Sequence, residues 1–151
     1  MFEGLLIFYK PWFFFLWGAC WGSFLNVVVF RYPLGQSIVA PPSSCPTCHK
    51  PIAAYDNIPV LSWFLLMGQC RRCKSPFSFK YVLNEILAGT TMAVAVIFYP
   101  RQWALGLSLG TALLAGFPMV YLRLRYGRAP WYLVVVSLAC GAFYFYQVAL
   151  V

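Results

Sequence analysis

The chain alternates between long apolar blocks and basic, polar intervals. Apolar blocks cover residues 11–30, 82–99, 103–122 and 131–151. A helix needs about 20 predominantly apolar residues to cross a bilayer, so each block is a candidate span. Lys10 and Arg31 bracket the first, and Pro100-Arg101 closes the second. Trp12, Tyr99, Trp103 and Trp131 stand near block ends, where aromatic side chains anchor at the membrane–water interface. The pattern predicts an all-α integral membrane protein with about four transmembrane helices and one small insertion. Its parts are residues 1–31 with the first span, residues 32–81 as the polar insertion, and residues 82–151 with three further spans. The first block is too long and too aromatic for a secretory signal, and no small-residue cleavage site follows it.

Composition supports this reading. Hydrophobic residues make up 62% of the chain and charged residues 9%, with a mean hydropathy of +0.75. Soluble domains carry about 25% charged residues, so this chain lacks the polar surface of a cytosolic enzyme. A disordered tail and a nucleic-acid-binding domain are excluded on the same ground. The formal charge is +8, and the acidic residues are Glu3, Asp56 and Glu85.

Basic residues are placed unevenly. Arg31, Lys50, Arg71, Arg72, Lys74 and Lys80 lie between the first two spans, and Arg123, Arg125 and Arg128 between the last two. Lys10 and Arg101 remain for the other side. The positive-inside rule then predicts cytoplasmic basic loops and two external termini. Membrane lipids are the expected surroundings.

Several span residues need partners. Gly18 and Gly22 are four apart and share a helix face, which lets another helix approach closely. Asn26, further along that face, is positioned to hydrogen-bond across the contact. Glu85 lies inside the second span near its insertion end. An intramembrane carboxylate is costly and marks either a function or a paired cation.

The insertion carries Cys45-Pro-Thr-Cys48 and Cys70-Arg-Arg-Cys73. Each C-x-x-C turn can aim two thiolates at one tetrahedral ion, and two turns complete a four-cysteine Zn²⁺ site. A zinc-ribbon-like module is therefore expected, with Lys50, Arg71, Arg72 and Lys74 offsetting the thiolate charge. So small a segment has little core, and a metal would fix it. The alternatives are two disulfides, a redox C-x-x-C pair, and haem attachment at Cys45-Pro-Thr-Cys48-His49. His49 is an alternative metal ligand.

These residues together resemble a known family. Gly22-Ser-Phe-Leu-Asn-Val-Val-Val-Phe-Arg31-Tyr-Pro33 is similar to the opening motif of bacterial prepilin peptidases. Pro42-Ser-Ser-Cys45-Pro-Thr-Cys48 follows, then Ile52, Tyr55, Asn57-Ile-Pro59, Ser62-Trp63, Gly68, Cys70 and Cys73 at that family's spacing. Tyr81-Val-Leu-Asn-Glu85-Ile-Leu-Ala-Gly89 resembles its Y-P-x-x-E-x-x-x-G stretch, with Val82 in place of the proline. The resemblance covers about residues 18–90. It implies a polytopic bacterial inner-membrane protein of type IV pilus or type II secretion prepilin processing. Family members cleave a basic leader and then N-methylate the new N-terminus with S-adenosylmethionine. Their cleavage uses two aspartates in later helices, one in a G-x-G-D motif.

This sequence departs from that pattern. It contains no G-x-G-D, and no acidic residue follows Glu85. Arg123, Arg125 and Trp131 fall where the resemblance would put aspartates. The expectation is a prepilin-peptidase-like protein without the protease. It would act as a zinc-binding accessory to a pilus or secretion membrane protein, or to a separate peptidase half. A stand-alone N-methyltransferase for processed pilins is the alternative, and a structural subunit of another membrane complex is third. By resemblance, Asn26, Arg31, Asn57, Glu85 and Gly89 are the candidate substrate or methyl-donor contacts. Cys45, Cys48, Cys70 and Cys73 are the candidate metal ligands.

Overall fold

The computed structural model describes residues 2–99 and 102–149, with side chains from Lys10 onward. The Glu3 side chain, Arg101 and the last two residues of the fourth expected span lie outside the described residues. The chain forms α1 (Phe2–Arg31), a short 3₁₀ turn at Tyr32–Leu34, a second at Ala54–Asn57, then α2 (Leu61–Leu65), α3 (Phe79–Phe98), α4 (Trp103–Tyr126) and α5 (Trp131–Ala149). Among the described residues there is no strand, only two isolated bridges in the cysteine segment. Four helices are long and apolar enough to cross a membrane: the span Lys10–Leu34, which takes in most of α1 and the turn after it, and α3, α4 and α5. The expected fold class stands.

Helix ends differ from the apolar block ends for local reasons. The third span was expected to stop at residue 122, yet α4 continues to Tyr126. Arg123 and Arg125 therefore sit in its last turn, where cations complement the helix dipole. Gly127 ends the helix at φ 71°, its N–H donating to the Arg123 carbonyl, and glycine takes that left-handed conformation without a Cβ penalty. Helix α3 begins three residues earlier than the apolar pattern, at Phe79, where the Ser78 hydroxyl accepts from the Lys80 N–H.

The helices pack in the order α1, α3, α4, α5. α1 lies chiefly against α3, α3 also against α4, and α4 against α5. The core runs along these contacts through Val28, Ala88, Met92, Val96, Ala115, Leu122 and Leu133. The large apolar side chains on the outer faces, such as Trp12, Phe117, Leu138 and Phe145, are exposed, as helices in a lipid solvent require.

Small residues set how closely the helices approach. A Cβ added at Gly18 would stand 2.6 Å from the Ala88 carbonyl oxygen, and one at Gly22 would stand 2.8 Å from the Ala88 Cβ. The shared small face of Gly18 and Gly22 is thus the α1–α3 contact. Gly106 plays the same part between α4 and α3, where an added Cβ would meet the Ala95 carbonyl oxygen at 2.5 Å. At one end of the bundle Arg128 donates to the Pro33 carbonyl at 2.9 Å. That bond joins the α4–α5 turn to the segment after α1, so the two basic intervals meet at the same end.

Candidate metal centre

The cysteine segment is built as two copies of one turn. In the first, the Cys45 N–H donates to the Lys50 carbonyl, the His49 N–H to the Cys45 carbonyl and the Ile52 N–H to the Ser43 carbonyl. In the second, the Cys70 N–H donates to the Ser75 carbonyl, the Lys74 N–H to the Cys70 carbonyl and the Phe77 N–H to the Gly68 carbonyl. His49 and Lys74, each directly after a second cysteine, both have positive φ, at 56° and 59°. The signal for this repeat lies in the sequence as C-x-x-C-x-x-P, ending at Pro51 and Pro76. The sequence reading used the cysteines and passed over the prolines.

The two turns face each other and bring Cys45, Cys48, Cys70 and Cys73 together, with all four sulfurs within 4.8 Å of one another. Cys45 Sγ lies 3.7 Å from Cys73 Sγ, across the two turns. Four sulfurs about 2.3 Å from a central ion would form a tetrahedron with edges of roughly 3.8 Å. The donor set and the spacing therefore fit one metal ion and are compatible with zinc. All six cysteines are free. His49 is exposed and is not part of the cluster.

Electrostatics around the sulfurs are uneven. The Ser75 hydroxyl lies 3.4 Å from Cys45 Sγ and 3.1 Å from Cys73 Sγ. Its hydrogen bond is the largest influence drawing Cys45 down to about 5, assisted by backbone N–H groups. The same hydroxyl leads in lowering Cys73. At Cys48 the Lys50 backbone hydrogen bond favours the thiolate, but burial and the three neighbouring sulfurs outweigh it and push the group up to about 11. Four thiolates so close repel one another, so full ionisation needs a cation among them.

Around the centre the module is tied by polar bonds. Arg71 grips Asp56 from two nitrogens, with Nη2 to Oδ1 at 2.7 Å and Nε to Oδ2 at 2.9 Å. This joins the Ala54–Asn57 turn to the second cysteine turn and holds the Asp56 carboxyl below its ordinary value. The buried Ser62 hydroxyl accepts from the Ile58 N–H and donates to the Tyr55 carbonyl.

Below the module, the polar residues of α1 and α3 meet. Asn26 Nδ2 donates to the Tyr81 carbonyl at 3.1 Å and its Oδ1 accepts from Asn84 at 2.8 Å. Asn26 thus does bridge the two helices. Glu85 Oε2 accepts from the Val60 N–H at 2.7 Å, which connects α3 to the start of α2. Arg31 instead reaches the Ser37 and Pro41 carbonyls and pins the loop after α1. Gly89 is buried in the α1–α3 contact, where an added Cβ would stand 2.8 Å from the Phe15 ring. Asn57 is exposed at the end of its 3₁₀ turn. Among the described residues no side-chain hydrogen bond links Arg31 or Asn57 to Glu85. Sequence reasoning missed Ser75 and the Val60 contact, and it quoted Ser62 and Asn84 only as motif positions, without the bonds they make. Ser62 carried a signal in the Ser62-Trp63 pair, and Asn84 as a second asparagine beside Glu85.

Residues 16–99 match the family model described as the bacterial peptidase A24 N-terminal domain. The chain is 54% identical over 77 residues to a prepilin leader peptidase/N-methyltransferase of Myxococcus xanthus, covering 51% of this chain and 23% of that protein. It is 37% identical over 114 residues to a type 4 prepilin-like proteins leader peptide-processing enzyme of Escherichia coli, covering 63% and 42%. It is 43% identical over 89 residues to a prepilin leader peptidase/N-methyltransferase of Klebsiella pneumoniae, covering 55% and 39%. The matches thus span less than half the length of these relatives. No solved structure matches the chain. The family model runs over more than half of the chain and takes in both cysteine turns and the glycines of the α1–α3 contact, so the chain belongs to the bacterial peptidase A24 N-terminal domain family.

Proposed function

We propose that this chain is a zinc-bearing membrane component of type IV prepilin processing, and that peptide cleavage relies on carboxylates outside these 151 residues. The observation that carries the first part is the clustering of Cys45, Cys48, Cys70 and Cys73. A four-thiolate zinc site has no open coordination position, so its ion fixes a shape and does not activate water. The second part rests on the carboxylates. Aspartic proteolysis needs two that share a proton and a water. Asp56 is held by Arg71 and Glu85 by the Val60 N–H. The basic end of the bundle, with the module, faces the cytoplasm on this reading, following the positive-inside rule.

Reconstitution with a prepilin in vesicles tests the proposal. The chain alone is expected to give no shortened pilin, and addition of a peptidase half to restore cleavage. A cleaved product from the chain alone, abolished by Asp56→Asn or Glu85→Gln, would overturn it.

Methyl transfer from S-adenosylmethionine to a processed N-terminus is the second reading. The Asn26–Asn84 bond between α1 and α3, with the Glu85 carboxylate one residue further along α3, favours it. Transfer of a labelled methyl group to a mature pilin by the purified chain is its test.

A further inference from the structure

Helix α2 carries an apolar surface that the cysteine module does not use. Ser62 and Trp63 turn inward, while Leu61 is 52%, Phe64 57%, Leu65 71% and Met67 79% exposed. In a polar module with so little core, four large apolar side chains left open on one short stretch call for a partner.

The depth of α2 indicates which partner. Helix α3 has 20 residues, and at 1.5 Å per residue it is about 30 Å long, the thickness of a hydrocarbon core. Glu85 lies roughly 9 Å along it from Phe79 by the same rise. The Val60 N–H, immediately before α2, is bonded to Glu85. Trp63, in the middle of α2, stacks edge-on against Phe79 at 5.4 Å. So α2 lies beside the first turns of α3, at the level where α3 enters the bilayer. Leu83 and Leu87, which follow Phe79 at helical spacing on one face of α3, are also exposed.

We propose that α2 dips into the bilayer interface, its Leu61, Phe64 and Leu65 side chains and Met67 in the turn after it lying among lipid acyl chains. Irregular backbone is tolerated at membrane depth only where its polar groups are satisfied within the protein. Glu85 provides this for the Val60 N–H, and Ser62 for the Ile58 N–H and the Tyr55 carbonyl. The module is therefore held on the membrane by lipid as well as by α1 and α3. The occupant is the bilayer that α3 itself crosses, and no further protein is needed to cover the patch.

Spin labelling of the metal-loaded full chain in phosphatidylethanolamine/phosphatidylglycerol vesicles tests this. A Leu65→Cys label is placed in a Cys20→Ser, Cys140→Ser background, with the same background lacking Leu65→Cys as the blank. Collision with lipid-soluble oxygen should exceed collision with a water-soluble nickel chelate several-fold at residue 65, as at a Leu87→Cys control on α3. A Thr47→Cys label on the exposed first cysteine turn should show the reverse. Nickel exceeding oxygen at residue 65 would overturn the proposal, as would shielding from both, which would mean a protein partner covers α2. Photoactivatable lipid applied to the unaltered chain gives an independent readout: adducts are expected within residues 61–67. Adducts on α3 and α4 with none on α2 would refute it.

Discussion

Val60 shows how a single residue ties the module to the bundle. Its φ of 64° and ψ of −56°, with the Leu61 N–H donating to the Pro59 carbonyl, form a tight three-residue turn that a β-branched side chain strongly disfavours. Such strain costs of order 1–3 kcal/mol and persists only where surrounding contacts over-determine it. Those contacts are Ser62 on one side and Glu85 on the other. Glu85→Ala should leave the Val60 N–H without its acceptor and destabilise the module by about 1–3 kcal/mol. Glu85→Gln keeps a carbonyl acceptor and should cost less. Val60→Gly should relieve the turn and shrink the penalty of Glu85→Ala, a coupling that a double-mutant cycle on amide exchange at residues 60–66 would read. Equal penalties in both backgrounds would show that the turn and the carboxylate act independently.

Between elements, the α1–α3 contact depends on absent side chains. Gly22 faces the Ala88 Cβ, the Asn84 carbonyl oxygen and the Glu85 Cα, all within 3.0 Å of an added Cβ. None of these is the far end of a flexible side chain, so a larger residue must push the helices apart. Gly22→Val should cost about 1–3 kcal/mol or more and also loosen the Asn26–Asn84 bond one turn away. Gly141 on α5 meets nothing within 4 Å of an added Cβ, so Gly141→Ala should change stability by no more than about 0.5 kcal/mol. Thermal unfolding in detergent, followed by circular dichroism, compares the two. The reading of Gly18, Gly22 and Asn26 as a contact face came from their helical spacing alone. Which helix would fill that face was not legible, because three apolar blocks offered equally good partners.

At the scale of the whole molecule, two regions of different origin share one chain. The helices bury apolar surface along a continuous core, whereas the cysteine segment relies on short hydrogen bonds and its sulfur cluster. Purified protein is expected to hold about one zinc per chain. A strong chelator should open residues 43–77 to proteolysis while α3 to α5 stay protected, since binding free energy is folding free energy in a module of this kind. Metal-free protein that resists protease equally in both regions would contradict this. The proposed orientation has its own check. A membrane-impermeant thiol reagent added to intact cells should leave Cys45, Cys48, Cys70 and Cys73 unlabelled, even after a permeant chelator has removed zinc. Labelling would reverse the topology.

By itself, the sequence determined what depends on composition and local spacing. Four apolar blocks set four membrane-length helices, because hydrocarbon thickness fixes the required run of apolar residues. Two C-x-x-C pairs set the candidate metal donors, because a tight turn places both sulfurs of a pair on one side. Only the tertiary structure decided the meetings between distant residues: Glu85 with Val60, Asn26 with Asn84, Arg71 with Asp56, and Ser75 with both Cys45 and Cys73. It also decided that α2 lies alongside the first turns of α3. Spacing along one element carries no information on the register between two. That register is settled when small residues allow two helices to close and each buried polar group finds its partner.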